Sequence, residues 1–179
     1  MGYAVLLYFD PETEQRILDL RRALRQAGSL STTNSMGVRP HISLAGFSEV
    51  EPGALLSLVE EYAGGLEPFR VQLSAIGLFP TPENVLFLSP APTSQLLTHH
   101  QEFHRRLARS GLNSSPYYAP ENWVPHCTVE MNLPNQQFYK ALEFCQTAFE
   151  PLAGMFQEIG VIEYWPLKPL GTWPFHPKQ

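Results

Sequence analysis

The chain of 179 residues contains only two cysteines, Cys127 and Cys145. Two thiols cannot build a disulfide framework or a zinc knuckle. One stands in a strand-like motif and the other in a helical stretch, so both are expected as small buried hydrophobes. Long apolar runs are missing as well: nothing approaches the roughly 20 residues that cross a bilayer. The opening Met1–Tyr8 is too short for a secretory signal and lacks its basic n-region. Leu6 stands where a myristoylation signal needs Ser or Thr. Positive charge is scarce, with 12 Lys and Arg against 17 Asp and Glu and a net charge of −5. Tight binding to a long duplex, which neutralises many phosphates, is therefore not expected. A small phosphorylated ligand needs only local positive charge. What remains is a cytoplasmic protein, expected to be a monomer without a membrane partner, long enough for one well-buried domain.

What is present is a repeated tripeptide. His41-Ile42-Ser43 returns 85 residues later as His126-Cys127-Thr128, each time behind a proline and ahead of an aliphatic residue. The other four histidines (His99, His100, His104 and His176) have no hydroxyl residue two places on. The surroundings repeat too. Arg21-Arg22-Ala23-Leu24-Arg25 resembles Arg105-Arg106-Leu107-Ala108-Arg109, and Val5–Pro11 answers Val85–Pro90. Ile76–Pro80 answers Ile162–Pro166. A nearly constant offset predicts one unit used twice, with approximate repeats over 1–80 and 81–166 forming two lobes about a pseudo-twofold axis.

Periodicity gives the elements. An apolar strand over 3–9 precedes a helix over 12–27, with Ile17, Leu20, Leu24 and Ala27 on one face and Gly28 as its stop. Residues 29–38 read as a polar loop and 41–47 as a strand. Leu55, Leu58, Val59 and Tyr62 mark a second helix. Strands over 69–78 and 84–89 lead to a third helix, outlined by Leu96, Leu97, His100, Phe103 and Leu107. After the polar loop Gly111–Asn122 come a strand over 124–131 and a helix carrying Phe138, Leu142, Cys145 and Phe149. A strand near 156–165 and a Pro/Trp-rich tail close the chain.

On a strand, positions i and i+2 share a face about 7 Å apart. His41 and Ser43 should therefore look one way, with Ile42 and Leu44 packed behind. His126, Thr128 and Glu130 should share one face, and Cys127, Val129 and Met131 the other. A twofold-related pair of such strands brings two imidazoles and two hydroxyls into one cleft, which suits phosphoryl chemistry.

The two motifs, His41-Ile42-Ser43-Leu44 and His126-Cys127-Thr128-Val129, resemble those of the two-histidine (2H) phosphoesterase superfamily, in particular its 2′-5′ RNA ligase-like and cyclic phosphodiesterase branches. The resemblance covers nearly the whole chain. It implies a duplicated, two-lobed α+β fold, with antiparallel sheets flanked by helices around a central cleft. It implies a phosphoesterase hydrolysing, or reversibly ligating, 2′,3′-cyclic phosphates or 2′-5′-linked nucleotides or RNA ends, with no metal and no cofactor. His41 and His126 would be the general acid and base, in an order left open, and Ser43 and Thr128 would bind the phosphate. The competing class is a non-catalytic nucleotide- or RNA-binding module using the same cleft.

Other residues are weaker candidates for binding substrate. Arg39 has the parity of His41 and could reach the phosphate. Trp123 and Tyr118 could stack on a base or simply anchor their loop. Tyr8 and Phe47 read as core. His100 and His104 lie at i and i+4, but Gln101 stands where a zinc-protease helix needs glutamate, so helix packing is expected. The arginines at 21, 22, 25, 105, 106 and 109 read as solvated helix faces.

Overall fold

The computed structural model describes residues 2–28 and 37–177. Most of the predicted 29–38 loop lies outside the described residues. In chain order the elements are β1 (Gly2–Phe9), α1 (Pro11–Gln26), β2 (His41–Phe47), α2 (Pro52–Ala63), β3 (Phe69–Phe79), β4 (Val85–Pro90) and α3 (Ser94–Arg109). A short 3-10 turn (Pro116–Tyr118) leads to β5 (Cys127–Glu130), α4 (Asn135–Ala148), β6 (Leu152–Tyr164) and β7 (Lys168–Pro174).

The helix boundaries follow from local chemistry. Asp10 caps α1 by accepting from the Thr13 amide, Pro11 opens it, and Glu12 and Glu14 sit at its positive end. The other Asp10 oxygen accepts from the Met155 amide at 2.7 Å, tying the helix start to β6. Gly28 takes φ +99° just past the end of α1, a conformation natural only to glycine. Glu51 and Thr93 cap α2 and α3. The stripes Leu55, Leu58, Val59, Tyr62 and Leu96, His100, Phe103, Leu107 are buried as expected, while Leu97 points outward at 37% exposure.

All seven strands join one antiparallel sheet in the order β2-β1-β6-β3-β4-β5, with β7 also paired to β6. β6 is long enough to serve both halves: its first part pairs with β3 and its second with β7, while β1 runs along most of it. β7 falls in the segment read as a Pro/Trp-rich tail. Its prolines, Pro169 and Pro174, are tolerated because β7 has a single neighbour. β5 is shorter than the expected 124–131, since Val124-Pro125-His126 lies ahead of the ladder. The helices cover one face, over a core that includes Val5, Leu7, Phe9, Ile42, Leu44, Phe103, Cys127, Val129 and Phe156. Both cysteines are free and buried. No helix among the described residues is long and apolar enough to cross a membrane.

Candidate active site

The two motif strands, β2 and β5, are the outer strands of the sheet, yet they come into contact. The His41 backbone amide meets the Cys127 sulfur, so the first motif sits directly against the second. Sheet twist and curl thus bring together two tripeptides that are far apart along the chain and along the strand order.

Each strand carries a bulge at the corresponding place. Leu6 faces Ser43 while the next partners are Val5 and Ala45, so Leu44 is extra on β2. Phe87 faces Thr128 while the next partners are Leu86 and Glu130, so Val129 is extra on β5. A bulge reverses the side-chain alternation beyond it. Glu130 therefore does not share the face of His126 and Thr128, as strict alternation predicted. It is fully buried on the helix side, where its carboxylate acts on Arg21 and Cys145.

The histidines are held alike. His41 Nδ1 bonds the Arg39 carbonyl at 2.7 Å, and His126 Nδ1 bonds the Val124 carbonyl at 2.7 Å. A carbonyl only accepts, so Nδ1 carries the hydrogen in both rings and the neutral Nε2 keeps its lone pair. Burial pushes the His41 pKa down to about 4, reinforced by the charges of Arg21 and His126 and opposed by the Arg39 carbonyl. Burial also lowers His126, against the pull of the Val124 carbonyl.

Aromatic rings frame both histidines. Tyr8 meets His41 edge-on at 6.5 Å between centroids, and Phe79 and Phe87 meet His126 at 4.9 and 5.3 Å. Two of these rings, Tyr8 and Phe87, lie close over glycines. A Cβ at Gly160 would come within 2.6 Å of Tyr8, and one at Gly77 within 2.3 Å of Phe87. Tyr8 is buried as expected, but in a small cluster with Ala4, Leu6, Ile162 and Tyr164, separate from the main core. Phe79 and Phe87 went unremarked in the sequence. The cross-strand pairing of Gly77 with Phe87 was their signal, and it needs the strand register to be seen.

The weaker candidates divide. Tyr118 forms a side-chain hydrogen bond with Ser43. Trp123 donates from Nε1 to the Ser43 carbonyl at 3.0 Å and stacks on His100 with centroids 3.7 Å apart. Together with Phe79, Tyr117, Val124 and His126 they line a largely apolar cavity of about 310 Å³. Arg39 is engaged elsewhere: its guanidinium forks onto Glu14 at 2.7 Å, reaches Glu158 at 2.9 Å and lies over the Tyr8 ring. His100 is buried in the helix layer, as expected, and half-buried His104 packs beside it with Nε2 donating to the Leu44 carbonyl at 3.0 Å. Among the described residues no three His, Cys, Asp or Glu side chains gather as metal ligands would. Arg22, Arg105 and Arg109 make surface ion pairs. Arg21 departs from the expectation of a solvated face, for it is only 2% exposed.

No curated protein matches the sequence. Among solved structures, protein TT0787 of Thermus thermophilus aligns with a TM-score of 0.67 at 17% identity, covering 98% of both chains. LigT of E. coli, in complex with 3′-AMP, gives 0.63 at 17% identity over 98% of both chains. Usb1 of Kluyveromyces marxianus gives 0.52 at 12% identity over 97% of both. At these identities the likeness shows a shared α+β fold. The sequence itself matches the 2′-5′ RNA ligase superfamily over residues 9–165, and with that match spanning most of its length, the chain belongs to this superfamily of phosphoesterase and RNA ligase-like enzymes.

Proposed function

We propose that this protein is a metal-independent phosphoesterase that opens 2′,3′-cyclic phosphates or 2′-5′-linked nucleotide and RNA ends, with His41 and His126 as its acid–base pair. The observation that carries the reading is the matched Nδ1–carbonyl bond on each ring, which leaves both Nε2 atoms free for proton transfer. In hydrolysis, His41 Nε2 takes a proton from the attacking water as its oxygen bonds to phosphorus. The bond from phosphorus to one ribose oxygen breaks, and His126 Nε2–H protonates that oxygen. His126 is assigned the acid because burial, and behind it the Arg21 charge, disfavours a proton on His41. The hydroxyls of Ser43 and Thr128 donate to the non-bridging oxygens, where charge must be stabilised. Run backwards, the same steps join a cyclic phosphate to a hydroxyl.

The apolar cavity beside His126 suits a nucleobase, since Tyr117, Tyr118 and Trp123 line it and stacking on an aromatic ring is worth about 1–3 kcal/mol per base. LigT in complex with 3′-AMP supports a nucleotide as the ligand class. We assign the duplication of 1–80 and 81–166 as the origin of the paired site, on the strength of the matching bulges. Arg39, held by two carboxylates, fits a role in shaping the cleft edge better than one on phosphate.

The test is turnover of 2′,3′-cyclic mononucleotides and short 2′-5′-linked RNA in excess chelator. Steady hydrolysis, lost in both His41→Ala and His126→Ala, is expected. Tight nucleotide binding without turnover by the parent protein would instead favour a binding module.

A further inference from the structure

Arg21 lies on the buried stripe of α1 with Ile17 and Leu24. A guanidinium is costly to bury unless its donors are satisfied. Of the Arg21 nitrogens, Nε has no hydrogen-bond partner among the described residues, so the burial rests on the two Nη groups. Here Nη1 donates to the Val38 carbonyl at 2.8 Å and Nη2 to the Thr128 carbonyl at 2.6 Å. Val38 immediately precedes Arg39, whose carbonyl orients His41. Thr128 belongs to the second motif. One rigid fork therefore grips the approach to the first histidine and the strand of the second. No strand pairing joins β2 to β5 among the described residues, so no backbone ladder sets the distance between the motifs.

A second brace has the same logic. His104, 83 residues after Arg21 and on the helix that follows β4, donates to the Leu44 carbonyl of β2. Each motif strand thus receives a side chain from a helix in the other half of the chain, Arg21 buried and His104 half-buried. The two braces differ in kind, because Arg21 holds a permanent charge and a planar pair of donors.

We propose that Arg21 is a positioning residue for both motif histidines, its fork fixing their separation and its charge standing behind His41. The proposal rests on the phosphoesterase reading of the cleft. The groups facing Arg21 are Glu14 on its own helix, Cys127 and Glu130 on β5, and His41 on β2, with His126 the further charge facing His41. Its positive charge disfavours protonation of His41, so its removal raises the pH at which that ring titrates.

The experiment compares Arg21→Met, Arg21→Lys and the surface control Arg22→Met. It measures kcat and KM on a 2′,3′-cyclic mononucleotide, the NMR titration of the His41 and His126 rings, and the melting temperature, with assays run well below each melt. Arg21→Met is expected to lose roughly 10- to 10²-fold in kcat, the scale of a small misplacement of reacting groups. KM should hold within about 3-fold, and His41 should titrate at higher pH. Arg21→Lys keeps the charge but cannot span both carbonyls, so kcat should recover only in part while His41 titrates as in the parent. Arg22→Met should match the parent. A folded Arg21→Met with parental kcat and parental His41 titration overturns the proposal. Should that variant fail to fold, parental kcat in Arg21→Lys overturns it instead. If the parent turns over no phosphodiester, the functional reading fails by itself. The His41 titration then still decides for Arg21: an upward move in Arg21→Met supports it and an unmoved midpoint sinks it.

Discussion

In the proposed reaction His41 and His126 depend on a carbonyl two positions upstream, which accepts from Nδ1 and leaves Nε2 of each ring for proton transfer. Replacing either by alanine should cost on the order of 10²–10⁴-fold in kcat, the usual worth of a general acid or base. Ser43→Ala or Thr128→Ala should cost up to roughly 10²–10³-fold, as for loss of an oxyanion donor. Near-parental rates in both histidine variants would dismiss the acid–base pair. The pH dependence follows from the shifts. His41 must be neutral, which holds above about 4, and His126 must be protonated, which fails above a pKa lowered from 6.5. In the free enzyme kcat/KM should therefore be bell-shaped with an acidic optimum. A bound phosphate favours imidazolium and raises both values, so the kcat profile should lie at higher pH. A kcat/KM that climbs steadily to pH 8 contradicts this.

Single elements explain why those residues are held so firmly. The bulges at Leu44 and Val129 sit directly after the hydroxyl residues. Beyond each bulge the chain returns to the core, as buried Ala45 and Glu130 show. The start of α1 is a second fixed point, because Asp10 accepts from Thr13 and from Met155 of β6 at once. Asp10→Ala should destabilise the protein by roughly 1–2 kcal/mol, the range for losing a strong helix cap, while leaving kcat within about 2-fold. Thermal melts and initial rates check both halves. A large loss of activity in a well-folded variant would mean that the cap acts on the cleft.

Taken whole, the molecule stores several histidines as neutral groups. Burial lowers His41 to about 4 and His100 to about 3, and it lowers His99, His104 and His126 as well. The unfolded chain takes up these protons from about pH 6.5 downward, whereas the folded protein resists until lower pH. Stability should therefore fall as pH drops from 6.5 toward 4. Asp10 adds to this at still lower pH: burial opposes its ionisation, but hydrogen bonds from Thr13 and Met155 outweigh that and hold its carboxyl below the usual range. The stability it contributes above its ordinary pKa is lost as pH falls through the lowered one. Urea midpoints at pH 7.5 and 5 should differ, the lower belonging to pH 5, and equal midpoints would show that these rings titrate freely when folded.

Local spacing alone revealed the two motifs, the helix stripes and most strands, because proline, caps and 3.6- or 2-residue periodicity act over a few positions. The His-x-Ser and His-x-Thr signatures were legible for that reason, and so was the buried role of Cys127. β7 was not, since its prolines mimic a tail and only its pairing with β6 makes it a strand. The face of Glu130 was misjudged because alternation assumes an unbroken ladder, and a bulge is defined by the partner strand. Arg21 looked like its exposed neighbours because composition cannot show which turn of a helix meets the carbonyls of Val38 and Thr128. The nearness of His41 to His126 was decided by tertiary structure. They lie on the two outer strands of one sheet, and only its twist and curl, driven by burying the shared core beneath the helices, brings those edges together.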